Sequence, residues 1–329
     1  MSSCVLSRPS KNSRDRTGAL VPLMDWQLME SDPPKVLELF APAKINLFLR
    51  VLGRRADGYH QLETWMQKLD FGDTVSLQPT LDGVIRLSCS DSSLPQDSSN
   101  LASRAAALFF ALSSRGKGYG ADIRIEKRIP VAAGLGGGSS DAGVVLRGLN
   151  RLFGGEFSEE QLASMGLQLG ADVPFFATGH DAVIAGGVGE EMYPLPGLQG
   201  YGIVLVNPGF SVSTRWVFEN LGLTTELKES KLASFRKDAF ALLTRGELVN
   251  DLESVTLASY PELMKIKSDL VDAGAEISLM SGSGPTVFGL FPDASKSAVA
   301  LQAVADEMRR KFGERVFVAR AKVGASPSG

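Results

Sequence analysis

The chain has 329 residues, 44% hydrophobic and 22% charged, a length that suits two ordinary domains and a balance that suits a soluble globular protein. Its 34 basic and 37 acidic residues leave a formal charge of −3, which gives no electrostatic case for nucleic acid or an anionic membrane as partner. Two cysteines, two histidines and the lack of any HExxH or Cys/His cluster argue against a disulfide framework and a zinc site and for a reducing, cytoplasmic setting; no apolar run reaches the ~18 residues of a membrane span.

Residues 1–35 begin with sixteen that mix Ser2, Ser3, Ser7, Ser10 and Ser13 with Arg8, Lys11, Arg14 and Arg16, against Asp15 alone. They read as a disordered extension, with plastid-type targeting left open because the composition is that of a transit peptide without its amphipathic pattern. Val36–Leu39 and Ile45–Leu52 read as strands on either side of the polar insert Ala41-Pro42-Ala43-Lys44, and Arg54-Arg55-Ala56-Asp57-Gly58 as a turn. Short strands follow at Val75–Leu77 and Val84–Leu87, then a Ser/Asp/Pro-rich loop over Ser88–Ser99. Leu101, Ala105, Leu108, Phe109 and Leu112 recur at helical spacing behind Asn100, a natural N-cap. Asp122–Glu126 alternates as a strand. Ala142, Val145, Leu146, Leu149, Leu152 and Phe153 form the next helical stripe, ended by Gly154-Gly155. Ser158 and Gln161 make a capping box for a short helix that stops at Gly170. Composition shifts at Gly197–Gly200, which divides a first domain (36–197) from a second (198–329). In the second, Gly202–Val206, Ile277–Met280, Val287–Phe291 and Val316–Ala319 read as strands. Helices are expected after Pro261 and around Leu301, Val304 and Met308. Strands and helices without strict alternation predict an α+β class in both halves.

The sharpest feature is Gly134-Leu135-Gly136-Gly137-Gly138-Ser139-Ser140, set between a strand and a helix. Glycines let backbone approach a ligand and turn N–H groups toward it, and a helix start adds unpaired N–H groups and the positive dipole end. Together they suit a polyphosphate. Ser139 and Ser140 can cap the helix, hold a phosphate oxygen or reach Mg²⁺. No Gly-Lys-Ser/Thr closes the loop, so it is not a Walker loop. The dinucleotide fingerprint is matched only with Ser139 in its third place. A branched residue at Gly137 is expected to fill the phosphate space and to meet a forbidden backbone angle.

With its Pro130-x-x-x-Gly-Leu-Gly opening, the loop resembles that of the galactose, homoserine, mevalonate and phosphomevalonate kinase superfamily. Three further blocks are similar to the 4-diphosphocytidyl-2-C-methyl-D-erythritol kinases within it: Pro42-Ala-Lys-Ile-Asn-Leu-Phe-Leu49 with Arg55-Ala-Asp-Gly-Tyr-His60, Leu169-Gly-Ala-Asp-Val-Pro-Phe-Phe176, and Ser281-Gly-Ser-Gly-Pro-Thr286. The resemblance spans residues ~36–322 and leaves out the N-terminal extension. It implies an ATP-binding N-terminal domain, a ferredoxin-like C-terminal domain and a substrate between them. It also implies ATP with Mg²⁺, and phosphorylation of a tertiary hydroxyl on a cytidine diphosphate conjugate of methylerythritol, in the non-mevalonate route to isoprenoids. The partner expected is therefore a small molecule, with no nucleic acid or membrane, and the chain a monomer or weak homodimer. Two departures stand out: Asp141 where some members have Asn, and Ser281 in place of Thr.

The resemblance assigns roles residue by residue. Asp172 is the proton acceptor for the hydroxyl and Lys44 the cation that orients it. Read alone, Asp172 is a helix N-cap before Val173-Pro174 and Lys44 a solvated lysine. Asn46, two residues from Lys44, shares its strand face and is expected to bind substrate or orient Asp172. On the nucleotide side stand Pro130, Ala133, the whole 134–140 loop, and Asn100, Leu101 and Lys127 near adenine; Lys127 is otherwise a strand-end surface charge. The metal ligand is left open, with Ser139 or Ser140 the candidates. Tyr59, His60 and Phe218 are placed around cytosine, with a core phenylalanine the plain alternative for Phe218. Backbone N–H groups of Gly282, Ser283 and Gly284 are offered to the diphosphate, with a plain hairpin turn the alternative. Competing readings are a homoserine or mevalonate kinase, a non-catalytic ligand-binding relative and a dinucleotide oxidoreductase.

Overall fold

The computed structural model describes residues 36–55, 58–222, 230, 232–293 and 297–323. The N-terminal extension, and Ala56-Asp57 of the expected turn, lie outside them. Where two strands were expected around the polar insert, a single strand β1 (Leu37–Arg54) runs through it. Register shifts at Pro42/Lys44, Asn46/Phe48 and Val51/Gly53 absorb the irregular residues, the first beside the N–H that Pro42 lacks. Its partner β2 (His60–Thr80) is far longer than the Val75–Leu77 expected. The reason is burial: Thr64 through Leu69 are all buried, so the strand shows no polar/apolar alternation.

Next come β3 (Ile85–Cys89), α1 (Leu101–Leu112), β4 (Gly120–Glu126), α2 (Gly137–Leu152), α3 (Glu159–Leu167) and α4 (Val173–Ala177), close to the sequence reading, α4 starting where Asp172 reads as an N-cap. The Ser158/Gln161 capping box is present. Two strands with no clear sequence signal, β5 (Ala182–Gly186) and β6 (Glu191–Pro194), complete a six-stranded sheet, ordered β3-β4-β2-β5-β6 with β1 also on β2. Helices α1 to α4 cover this sheet through a core that includes Val75, Leu77, Phe109, Val145 and Leu149.

The second sheet starts at β7 (Tyr201–Val206). Then follow α5 (Thr214–Glu219), α6 (Leu232–Thr244), α7 (Glu253–Ser259), α8 (Glu262–Asp272), β8 (Ile277–Met280), β9 (Val287–Pro292), α9 (Ala298–Phe312) and β10 (Val316–Arg320). The order β10-β7-β9-β8, with every pair antiparallel, is the ferredoxin-like arrangement. Helices α8 and α9 cover one face through Leu263, Ile266, Leu301 and Met308. A further core joins Trp65, Leu69 and Phe71 of β2 to Ile203, Leu205, Phe288 and Leu290 of β7 and β9. Each of these fully buried large side chains contributes about 1.5–3 kcal/mol of transfer free energy. Among the described residues no helix is long and apolar enough to cross a membrane.

Candidate active site

The glycine-rich loop is held against two other sequence blocks. Gly134 (φ 77°) and Gly136 (φ 73°) both adopt the left-handed conformation. A Cβ on Gly134 would lie 2.1 Å from the Ser281 carbonyl oxygen, and one on Gly136 3.0 Å from Lys44 Cγ and from the Phe176 ring. These glycines therefore permit contact between loop, β1, α4 and the 281–286 turn as well as access for a ligand. Ser281 Oγ donates to the Gly134 carbonyl (2.9 Å), and the Lys44 N–H donates to Leu135 O (2.9 Å). Ala132, just before, also has positive φ (50°), a strain stored at the loop.

Gly137 behaves differently from expectation. It has no positive φ, and its Cβ would meet Ile129 at 3.1 Å and Lys127 Nζ at 3.4 Å. A branched residue there would press on Lys127, and no forbidden angle arises. Gly137, Gly138 and Ser139 open α2 on the wall of a cavity of about 590 Å³. Two loop members do not reach it. Leu135 is buried in the core between the sheets. Ser140 is fully buried, its N–H donating to Gly136 O (2.8 Å) while its hydroxyl has no hydrogen-bond partner.

The same cavity is lined by Lys44, Asn46, Asp172, Pro130, Ala133, Asn100, Leu101, Lys127, Gly282, Ser283 and Phe218. Lys44 Nζ lies 3.3 Å from Asp172 Oδ2, the lysine buried and the carboxylate 37% exposed. Asp172 stands at the N-cap of α4, yet its carboxylate makes no capping hydrogen bond, so it faces the ligand space. Lys44 is 4% exposed, which removes the solvated-lysine alternative. Its Nζ also donates to Asn46 Oδ1 (2.6 Å), so Asn46 bears on Lys44 rather than on Asp172 directly.

Lys127 is no surface charge. It is nine-tenths buried and bonds Asp73 and, at 2.7 Å, Asp141. Burial alone would depress its pKa, but the two carboxylates raise it instead. Burial pushes the Asp141 carboxyl up to about 7, against the pull of Lys127 and with the push of Asp73. Asp141 thus answers its departure from Asn by pairing with a lysine. The Asn100 side chain is used as a cap, accepting from Ala102 N (2.9 Å) and donating to Pro95 O (2.8 Å), which leaves its wall position rather than its amide for a nucleotide.

A second cavity, about 670 Å³, adjoins the first through Leu62, Ala171, Val188 and Phe218. It holds Tyr59, 64% exposed, and His60. His60 stacks on Phe218 with ring centroids 4.7 Å apart, and burial, helped by Arg54, lowers its pKa so that the imidazole is neutral near pH 7. Phe218 is only partly buried and lines both cavities, so it is not a plain core phenylalanine. Gly284 lies away from both. Its N–H donates to Ser281 O (2.9 Å) and its Cβ position is filled by Met280 Sδ at 2.4 Å, so only Gly282 and Ser283 of that trio face the cavity. Ser283 Oγ is hydrogen-bonded to Thr214 Oγ1 (2.7 Å).

Sequence reasoning missed Thr64, Asp73, Thr214 and Ala132. Thr64 and Asp73 lie in the part of β2 that shows no alternation, and Asp73 meets Lys127 across 54 positions. Among the described residues no group of three His, Cys, Asp or Glu side chains is arranged to hold a metal ion.

Residues 100–180 match the family "GHMP kinases N terminal domain" and residues 223–312 match "GHMP kinases C terminal". The 4-diphosphocytidyl-2-C-methyl-D-erythritol kinase of Desulfotalea psychrophila is 46% identical over 87% of this chain and 95% of its own length. That of Geobacter sulfurreducens is 47% identical over 82% and 94%. A crystal structure of a 4-(cytidine 5'-diphospho)-2C-methyl-D-erythritol kinase superposes with a TM-score of 0.71 at 34% identity, covering 88% of this chain and all of the other. Homoserine kinase from Cytophaga hutchinsonii, at 19% identity and a TM-score of 0.66 over 89% and 96% of the two chains, shares the fold. With the loop, the Lys44–Asp172 pair and this identity over nearly the full length of its relatives, the chain belongs to the 4-diphosphocytidyl-2-C-methyl-D-erythritol kinase family of the GHMP kinases.

Proposed function

We propose that this ATP-dependent kinase transfers the γ-phosphoryl group to the tertiary hydroxyl of 4-diphosphocytidyl-2-C-methyl-D-erythritol, giving the 2-phosphate and ADP in the non-mevalonate route to isoprenoid precursors. The observation that carries the reading is the Lys44–Asp172 pair, 3.3 Å apart, on the wall of a cavity with the glycine loop at one end and the Tyr59/His60/Phe218 cavity adjoining it. Asp172 accepts the hydroxyl proton as the oxygen attacks phosphorus. Lys44 orients that carboxylate and offsets charge on the transferring group. The α2 N-terminus and the N–H groups of Gly137, Gly138 and Ser139 hold the phosphates. Of the two candidate serines, Ser139 on the cavity wall is the oxygen donor that would fit a Mg²⁺ ion carried by ATP, while the Ser140 hydroxyl is buried away from the cavity. That ion supplies charge neutralisation on the phosphates.

Neutral His60 reads the polar edge of cytosine, and the faces of Tyr59 and Phe218 take its ring. Gly282 and Ser283 offer N–H groups to the diphosphate. ATP binding belongs to residues 36–197, and 198–329 form the C-terminal domain. The enzyme acts in the cytoplasm as a monomer or weak homodimer. A coupled ADP-release assay with the cytidylyl conjugate, mevalonate and homoserine tests the reading. Turnover is expected with the conjugate alone, and equal turnover with either of the others overturns it.

A further inference from the structure

The Lys44–Asp172 pair is backed by a chain of buried polar groups that no sequence motif announces. Lys44, Asn46 and Thr64 are 4%, 3% and 3% exposed. Thr64 Oγ1 donates its one proton to the Phe48 carbonyl (2.8 Å), beside the register shift between Asn46 and Phe48 in β1. A threonine hydroxyl has a single proton, so toward Asn46 it acts only as an acceptor. It takes the hydrogen bond from Asn46 Nδ2 (2.9 Å). That choice fixes the amide: Oδ1 is turned to Lys44 Nζ, which donates to it at 2.6 Å. Rotating the amide by half a turn would set its N–H₂ group against an ammonium, donor against donor, among buried side chains.

We infer that Thr64 is a positioning residue for phosphoryl transfer, locking the Asn46 amide so that its oxygen holds the Lys44 ammonium at Asp172. The inference rests on the reading that Lys44 and Asp172 carry the chemistry. Thr64 itself touches neither of them. Its effect passes through one rotatable amide, which distinguishes it from general support of the strand. With the hydroxyl gone, the Phe48 carbonyl and Asn46 Nδ2 both lose a buried partner, and the amide is held toward Lys44 from one side only.

Thr64→Val keeps the shape of the side chain and removes the hydroxyl, while Thr64→Ser keeps the hydroxyl. The valine variant is expected to lose about tenfold or more in kcat with ATP affinity by calorimetry within about twofold of wild type, and the serine variant to keep at least about half of kcat. A double-mutant cycle with Asn46→Ala supplies the decisive readout: Thr64→Val should have little further effect once the amide is absent. Melting curves confirm folding of each variant, and Thr64→Ser with the cycle keeps the test sharp if valine lowers stability. Wild-type kcat in Thr64→Val, or full additivity with Asn46→Ala, overturns the inference. Asp172→Asn is run alongside. If it retains near-normal turnover, the reading of the catalytic pair fails; if it is inactive while Thr64→Val matches wild type, only the role of Thr64 falls.

Discussion

Lys68→Met tests how the protein tolerates a lysine buried beneath the catalytic segment. Lys68 lies in β2, 2% exposed, with Nζ donating to the Thr178 carbonyl at the end of α4 (3.1 Å) and 4.7 Å from the Phe175 ring centroid. Burial lowers its pKa from 10.5 to about 7, with Arg147 and Lys322 adding repulsion and Asp181 and Glu159 opposing it. The folded pKa is thus below the unfolded one. Between pH ~7 and ~10.5 the unfolded chain binds a proton that the folded chain does not, so stability rises with pH across that window. Below about pH 7 the burial penalty is fully present, on the order of 5 kcal/mol before the Thr178 hydrogen bond and the ring contact offset part of it. Each pH unit above 7 relieves about 1.4 kcal/mol. Methionine fills a similar volume without charge. The stability difference, variant minus wild type, should therefore shrink by on the order of 2–3 kcal/mol from pH 6 to pH 9. For a chain of this size that is about 5 °C or more in Tm. Scanning calorimetry or denaturant titration of both proteins at pH 6, 7.5 and 9 measures it, and other titrating groups, Asp141 among them, cancel in the difference. A difference constant across that range would refute the reasoning, because it would mean that Lys68 keeps its proton in the fold up to pH 9.

Asp172→Asn is expected to lower kcat by ~10²-fold or more with little change in substrate affinity, as for a lost proton acceptor; steady-state and binding measurements check it. Gly134→Ala should weaken ATP at least about tenfold in a calorimetric titration and lower Tm, since its Cβ meets the Ser281 carbonyl at 2.1 Å from a φ of 77°, and unchanged affinity would separate the loop from nucleotide binding. Removing the cytidylyl group from the substrate should cost ~10²-fold or more in kcat/KM, because binding energy at that end holds the hydroxyl in line. His60→Ala should reproduce part of that loss on the full substrate and none on the truncated one; equal efficiency of both substrates with wild type would remove the cytidine pocket.

Much of the fold was readable from local pattern. The period of Ala142, Val145, Leu146 and Leu149, the capping box at Ser158 and the Asn100 cap all sit where the chain places them. These signals involve neighbours within a few residues, so the sequence carries them directly. β2 was largely invisible for the opposite reason: Trp65 to Leu69 are buried on both faces, which erases alternation, and only pairing with β1 and β5 makes them a strand. Strands β5 and β6 are short, and nothing local marks them.

The site divides in the same way. The glycine loop is legible because phosphate binding demands glycines ahead of a helix start, whereas Lys44, Asp172 and the Tyr59-His60 block are legible through the resemblance of their local motifs to those of the family. What the sequence alone determined was the kind of chemistry and the residues able to perform it. Which atoms meet was decided by the tertiary structure. Asp141 and Asp73 converge on Lys127 from α2 and β2, Thr64 reaches Asn46 across a strand pair, and Gly284 turns its N–H inward. Hydrogen bonds and ion pairs act over about 3 Å whatever the separation along the chain, so contacts between residues tens of positions apart exist only once the sheets have formed.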